Sequence, residues 1–173
     1  AIILEKNGFT HYSLSAIVKQ KVNEKGIEPT RENLIQTGNE LRLQNGSAVL
    51  AEKTGKLINE NPTKDYVITS IRNPYEVESL KKEFKDNFHL IYINTDPKIR
   101  FERLRKRNRE NDVKTFEQFI KTENMEKQNN DPNKQSIENC IEKAEYVIIN
   151  EANIETLEKD MNKLLKVLRS ENG

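Results

Sequence analysis

The chain has 173 residues, a length for one domain, or one domain with a small lid, and enough to bury most of its apolar surface. Charged residues make up 33%, yet the formal net charge is +1, which excludes coating of nucleic acid by bulk charge and leaves any basic function local. No apolar stretch approaches the roughly 20 residues of a membrane span, Ala1-Ile2-Ile3-Leu4 is too short for a signal peptide, and the lone Cys140 excludes an internal disulfide and fits a reducing cytoplasm.

In chain order, residues 1 to 7 read as the end of a helix, stopped by Asn7-Gly8. A short strand is predicted from Phe9 to Tyr12. Ser13 then caps a helix to Lys25, which Gly26 stops. Thr30 caps the next helix, with Glu32 in its first turn, to about Leu43; Asn45-Gly46 breaks it. A third helix runs from Ser47 to about Asn59. Tyr66 to Ile71 is a compact β-rich run and predicts a buried strand. Asn73-Pro74 opens a helix to Phe84, with proline in its first turn.

Phe88 to Thr95 predicts a second buried strand, and Asp96-Pro97 begins a helix over 97 to 107. Residues 108 to 135 are polar, with a helical stretch at Thr115 to Lys127. A short helix at Ile137 to Lys143 leads to a last strand, Tyr146 to Asn150. An amphipathic helix over 154 to 168 closes the chain, with Leu157, Met161, Leu164, Leu165 and Leu168 inward. Strands alternating with helices imply an α/β three-layer sandwich on a parallel sheet. The core would be residues 1–107 and 136–173, with 108–135 inserted as a helical lid.

Ligands of such sheets sit at the carboxyl ends of the strands, here residues 69 to 73, 94 to 96 and 149 to 151. Arg100, Arg103, Arg105, Arg107 and Arg109 follow one of these ends. Guanidinium groups bind two phosphate oxygens at once and stabilise the charge spread over a transferring phosphoryl group. Helical spacing puts Arg100, Arg103 and Arg107 on one face; the plainer alternative is a solvated face paired to Glu102 and Glu110. Arg72, at the end of a strand, is placed to grip an acceptor phosphate or to pair with Glu76. Asn150 is either an amide against a base edge or a turn residue. His11 and His89 lack ligand spacing, and no metal-ligand set is expected. Cys140 has no base nearby in sequence and reads as a quiet thiol.

These pieces resemble the P-loop nucleoside-monophosphate kinase group, and within it the dephospho-CoA-kinase-like and deoxynucleotide-kinase-like ATPases. The matching stretches are Gly8 to Ser15, Pro29 to Leu34, Gly38 to Arg42, Ser70 to Pro74 with Glu76-Val77-Glu78, Arg100 to Leu104 with Arg107, and Ala144 to Asn150. The resemblance implies an ATP-dependent phosphotransferase using Mg²⁺ on a small nucleotide-like acceptor, nucleoside monophosphate or dephospho-CoA. It places Arg103 and Arg107 at the nucleotide phosphates as lid-hinge residues, and Asn150 beside the base. It places Ser13, Ser15, Arg42 and Arg72 at the acceptor.

The chain departs from this pattern in two ways. The group's first strand and its G-x-x-x-x-G-K-S/T loop are not among these residues, and the carboxylates often found after Ser-Leu-Ser and at the second core strand are replaced by Ala16 and by Thr69-Ser70. That first strand is central, and its loss breaks two hydrogen-bond ladders at about 1–3 kcal/mol for each orphaned buried group. Residues upstream of Ala1, or another segment, are therefore expected to supply it. The alternative function is a non-catalytic binding or regulatory module with the kinase fold; a third, nucleic-acid binding by the arginine helix, lacks interleaved aromatic residues.

Overall fold

A computed structural model of the protein describes residues 1–62, 65–107, 113–127 and 129–171. Its strands are β1 (Thr10–Ser13), β2 (Tyr66–Thr69), β3 (Ile91–Asn94) and β4 (Tyr146–Ile149), and its helices are α1 (Ile2–Lys6), α2 (Leu14–Glu24), α3 (Arg31–Asn45), α4 (Val49–Asn59), α5 (Pro74–Phe84), α6 (Pro97–Arg107), α7 (Phe116–Lys127), α8 (Ile137–Ile141) and α9 (Ile154–Glu171). β1 runs parallel to β2 with Thr10 opposite Tyr66 and Ser13 opposite Thr69. β3 runs parallel to β4 with Ile91 opposite Tyr146 and Asn94 opposite Ile149. Among the described residues the two pairs form separate two-stranded sheets.

Local chemistry explains the helix starts. The Thr30 hydroxyl accepts from the Asn33 N–H at 3.2 Å and caps α3. Asp96 accepts from the Lys98 N–H at 2.8 Å ahead of α6. At α5, Asn73 and Glu76 form a reciprocal capping box with Pro74 behind it. Gly8, at φ +91°, supplies the left-handed turn between α1 and β1.

Alternate residues of β2 serve two cores, as the two-residue period of a strand requires. Val67 packs, with Ile91 of β3, against Ile3, Leu4, Ile148, Met161 and Leu165. Ile68 packs against Leu14, Val18, Leu41, Val49 and Leu50. Helices α1 and α9 thus cover one face of both strand pairs, and α2, α3 and α4 cover the other face of β2. The chain is α/β with parallel strands, consistent with a P-loop NTPase-like fold.

β1 keeps its expected length one residue later, and the other three strands are shorter than expected. β2 ends at Thr69 rather than Ile71 because Ser70 turns out of the strand at φ +65°, the left-handed region. β3 covers only Ile91–Asn94 of the expected 88–95, after a 3₁₀ turn at Lys85–Asn87. β4 is covered on one face: Ile148 lies in the core while Val147 and Ile149 are 59% and 53% exposed.

Cys140 is buried beneath α5. Burial first, and the Glu76 carboxylate second, push its thiol up to about 12 from the ordinary value of 9.0. The folded state therefore favours the neutral thiol. That preference adds nothing to the pH dependence below pH 9, and stability is expected to fall as pH rises from 9 toward about 12. Unfolding midpoints of wild type and Cys140→Ser across that window test this; parallel curves for the two proteins contradict it.

Candidate functional site

The carboxyl ends of β1 and β2 meet at a group of hydroxyls. Ser13 Oγ lies 2.9 Å from Ser15 Oγ, and Ser70 Oγ lies 3.2 and 3.1 Å from the two. Ser13 stands at the N-cap of α2 but makes no side-chain cap bond, so the expected capping role does not hold; its hydroxyl faces the other two serines. Just behind them, His11 Nε2 is 2.7 Å from Thr69 Oγ1. The left-handed turn at Ser70 swings its side chain into this group, a role that spacing alone does not show.

Arg72 follows directly. Its main chain is fixed by Glu76, whose Oε2 accepts from the N–H groups of Arg72 and Asn73 at 3.0 and 3.1 Å. The other oxygen of Glu76 accepts from Arg42 Nε and Nη2 at 3.0 and 2.7 Å. Arg42 was expected at the acceptor. It is instead 3% exposed and paired with a fully buried Glu76. Gly38 makes room for it: a Cβ there would stand 3.4 Å from Arg42 Nη1.

With Glu76 occupied, the expected Arg72–Glu76 side-chain pair does not form. The Arg72 guanidinium reaches Glu126 of α7 at 3.3 Å and Gln135 at 3.4 Å. The same Glu126 takes two bonds from Arg31, at 3.0 and 2.7 Å. Asn73 ties this corner to the following segment through the Pro132 and Lys134 carbonyls at 2.7 and 2.8 Å, and Ser136 N–H donates to the Arg72 carbonyl at 2.8 Å. Asn73 thus acts both within α5 and across the chain. Asn73→Ala is expected to cost about 1–2 kcal/mol, since it removes the cap and the two part-buried bonds to the Pro132 and Lys134 carbonyls; a urea midpoint equal to wild type contradicts this.

The arginines of α6 diverge rather than act as one face. Arg100 forms a bidentate pair with Glu123 of α7, Nε to Oε1 at 2.9 Å and Nη2 to Oε2 at 2.5 Å, and also donates to the Thr95 carbonyl. Arg103 reaches across to the loop after β4, donating to the carbonyls of Asn150 and Ala152 at 2.8 and 2.9 Å. Asn150 is anchored beside β3 by its N–H to the Asn94 carbonyl at 2.7 Å. Arg105 and Arg107 are exposed at the end of α6. Arg109, Glu110 and Asp112 lie outside the described residues.

Sequence reasoning missed Arg31 and Glu126 as partners. Arg31 had a faint signal, since it follows the Thr30 cap within a matched stretch; Glu126 had none, because its partners are 54 and 95 residues away. Among the described residues no group of three or more His, Cys, Asp or Glu side chains is placed to hold a metal ion. An open cavity of about 670 Å³ on α7 is lined by Phe116, Glu117, Ile120, Lys121 and Asn124 and by none of these arginines. No described helix is long and apolar enough to cross a membrane.

Comparison with known proteins agrees with this architecture. Residues 1–121 match the AAA-domain family, a P-loop NTPase-type domain. A UPF0200 protein of Pyrococcus furiosus is 32% identical over 95% of this chain and 87% of its own length. UPF0200 proteins of Pyrobaculum aerophilum and Methanothermobacter thermautotrophicus are 31% and 30% identical, over 98% and 96% of this chain and 90% and 81% of their own. Parallel strands alternating with helices and these matches lead to one assignment: the chain belongs to the UPF0200 family and carries a P-loop NTPase-type AAA domain.

Proposed function

We propose that this protein is an ATP-dependent phosphotransferase acting on a small nucleotide-like acceptor, of nucleoside-monophosphate or dephospho-CoA type. The observation that carries the reading is the position of Arg72 and Arg103. Each stands at the carboxyl end of a different strand pair; the Arg72 guanidinium is held by the buried Glu126 and Gln135, and that of Arg103 by the Asn150 and Ala152 carbonyls. Charge held in place before reaction needs no reorganisation as the phosphoryl group moves, which is where such enzymes gain most.

In this reading Ser13, Ser15 and Arg72 line the acceptor side, with Arg42 positioning Arg72 through Glu76. Arg103, Arg107 and Asn150 form the ATP side. Helix α7 belongs to a lid that excludes water from the reacting groups. In this reading a further parallel strand, with its glycine-rich loop, joins β2 to β3. Two strand pairs that share one hydrophobic cluster without sharing a ladder support that placement. Mg²⁺ suits a site of hydroxyls and substrate phosphates without a carboxylate cage, since it keeps several waters and binds chiefly through phosphates; when bound it would neutralise phosphate charge. The setting is the cytoplasm, and the partner is the small-molecule substrate.

Ala16 and Thr69-Ser70, standing where carboxylates are often found, favour a second reading: a non-catalytic binding or regulatory module with the kinase fold. Acceptor-dependent turnover separates the two. Where it occurs, Arg103→Ala and Arg107→Ala are each expected to lower it on the order of 10²-fold; wild-type rates in both variants contradict the role given to these arginines.

A further inference from the structure

Glu126 is an unusual lid residue. It sits in the last turn of α7, only 5% exposed, and receives guanidinium groups from two distant elements. Arg31 is the first residue of α3; Arg72 follows β2. Both Arg31 donors, Nε and Nη2, converge on Oε1 at 3.0 and 2.7 Å, while Arg72 Nη1 takes Oε2 at 3.3 Å. Such a two-sided grip on an oxyanion is what arginine provides for phosphate as readily as for carboxylate.

The cluster is unbalanced. Two guanidinium charges face one carboxylate, and the guanidinium side chains are each 37% exposed while the carboxylate is 6% exposed. An incoming anion therefore meets the arginines from solvent. A phosphomonoester dianion matches two cations in charge and offers three oxygens where the carboxylate offers two. We propose that Arg31 and Arg72 together form the site for the acceptor's phosphomonoester, and that Glu126 is its internal stand-in, held there until phosphate displaces it. This rests on the phosphotransferase reading only in taking Arg72 to face the acceptor.

The arrangement couples binding to the position of α7. With Glu126 in place the arginines are occupied and the end of α7 is tethered to the α3 and β2 side of the molecule. An arriving phosphate removes that tether and leaves α7 held at its Glu123–Arg100 pair. Glu126 thus sets a threshold for acceptor affinity, because any phosphate must compete with a carboxylate already bonded.

Glu126→Gln keeps the side-chain shape and removes the competing charge. Titration of the full-length protein with inorganic phosphate is expected to show binding roughly 10-fold tighter in Glu126→Gln than in wild type. Adding Arg31→Ala to Glu126→Gln is expected to abolish the gain. Glu117→Gln, which removes the same charge from an exposed position on the same helix, is expected to bind as wild type does. Circular dichroism melts confirm that each variant is folded. Unchanged or weaker phosphate binding in Glu126→Gln overturns the proposal, as does an equal gain in Glu117→Gln or a gain that survives Arg31→Ala. ATP titration of the same proteins reads the phosphotransferase assignment separately: phosphate binding at Arg31 and Arg72 without any ATP binding overturns that assignment and leaves this one standing.

Discussion

Glu76→Ala is expected to lower the unfolding free energy by about 3–5 kcal/mol. Glu76 is fully buried, and Arg42 beside it is 3% exposed. Removing the carboxylate leaves a guanidinium in the interior with no counter-charge. It also strips the N–H groups of Arg72 and Asn73 of their acceptor. Against a typical total of 5–15 kcal/mol, this loss brings the domain close to unfolding at physiological temperature. The double variant Arg42→Met with Glu76→Leu is expected to recover part of the loss, because a buried pair exchanged for apolar groups of similar volume is often neutral. The remainder, about 1–3 kcal/mol, belongs to the orphaned amides. Urea denaturation with unchanged m-values measures both effects; a loss below about 1 kcal/mol for Glu76→Ala contradicts the hub role assigned to it.

Arg72→Ala is expected to cut acceptor turnover by about 10²–10³-fold while ATP affinity stays within a factor of about 2. The main chain of Arg72 is held by Glu76 and by Ser136, independently of its side chain, so the substitution removes the guanidinium and spares the corner that carries it. Glu126 keeps its two bonds from Arg31, which limits the structural consequence. Arg72→Lys is expected to recover only part of the activity, since an ammonium cannot present two donors in a plane. Unchanged acceptor turnover in Arg72→Ala contradicts the assignment of that residue.

The helices were legible because their punctuation is local. Asn73-Pro74 and Asp96-Pro97 mark the starts of α5 and α6, and both begin and end as expected. The parallel arrangement followed from alternation of strand and helix, and pairing bears it out. Strand ends were less legible: nothing in the letters Thr-Ser-Ile announces that Ser70 adopts φ +65°.

The site was legible in its residue types and illegible in its pairings. Arg100, Arg103 and Arg107 share a helical face by spacing, but Glu123 draws Arg100 to α7 and the carbonyls after β4 draw Arg103 the other way. Arg42 looked like a ligand-facing arginine at the end of a connecting helix; a carboxylate 34 residues later buries it. Arg31 and Arg72 meet at Glu126. Ion pairs between elements depend on how helices dock, and helical periodicity reports only which way a helix faces.

The central claim is that these guanidinium groups stabilise a phosphoryl group in transit. Acceptor-dependent formation of ADP from ATP tests it most directly, with nucleoside monophosphates and dephospho-CoA supplied in turn to the full-length protein with Mg²⁺. The expected result is ADP formed in step with one phosphorylated acceptor. Stoichiometric ATP binding with no acceptor-dependent ADP from any of them contradicts the claim and leaves the binding-module reading in its place.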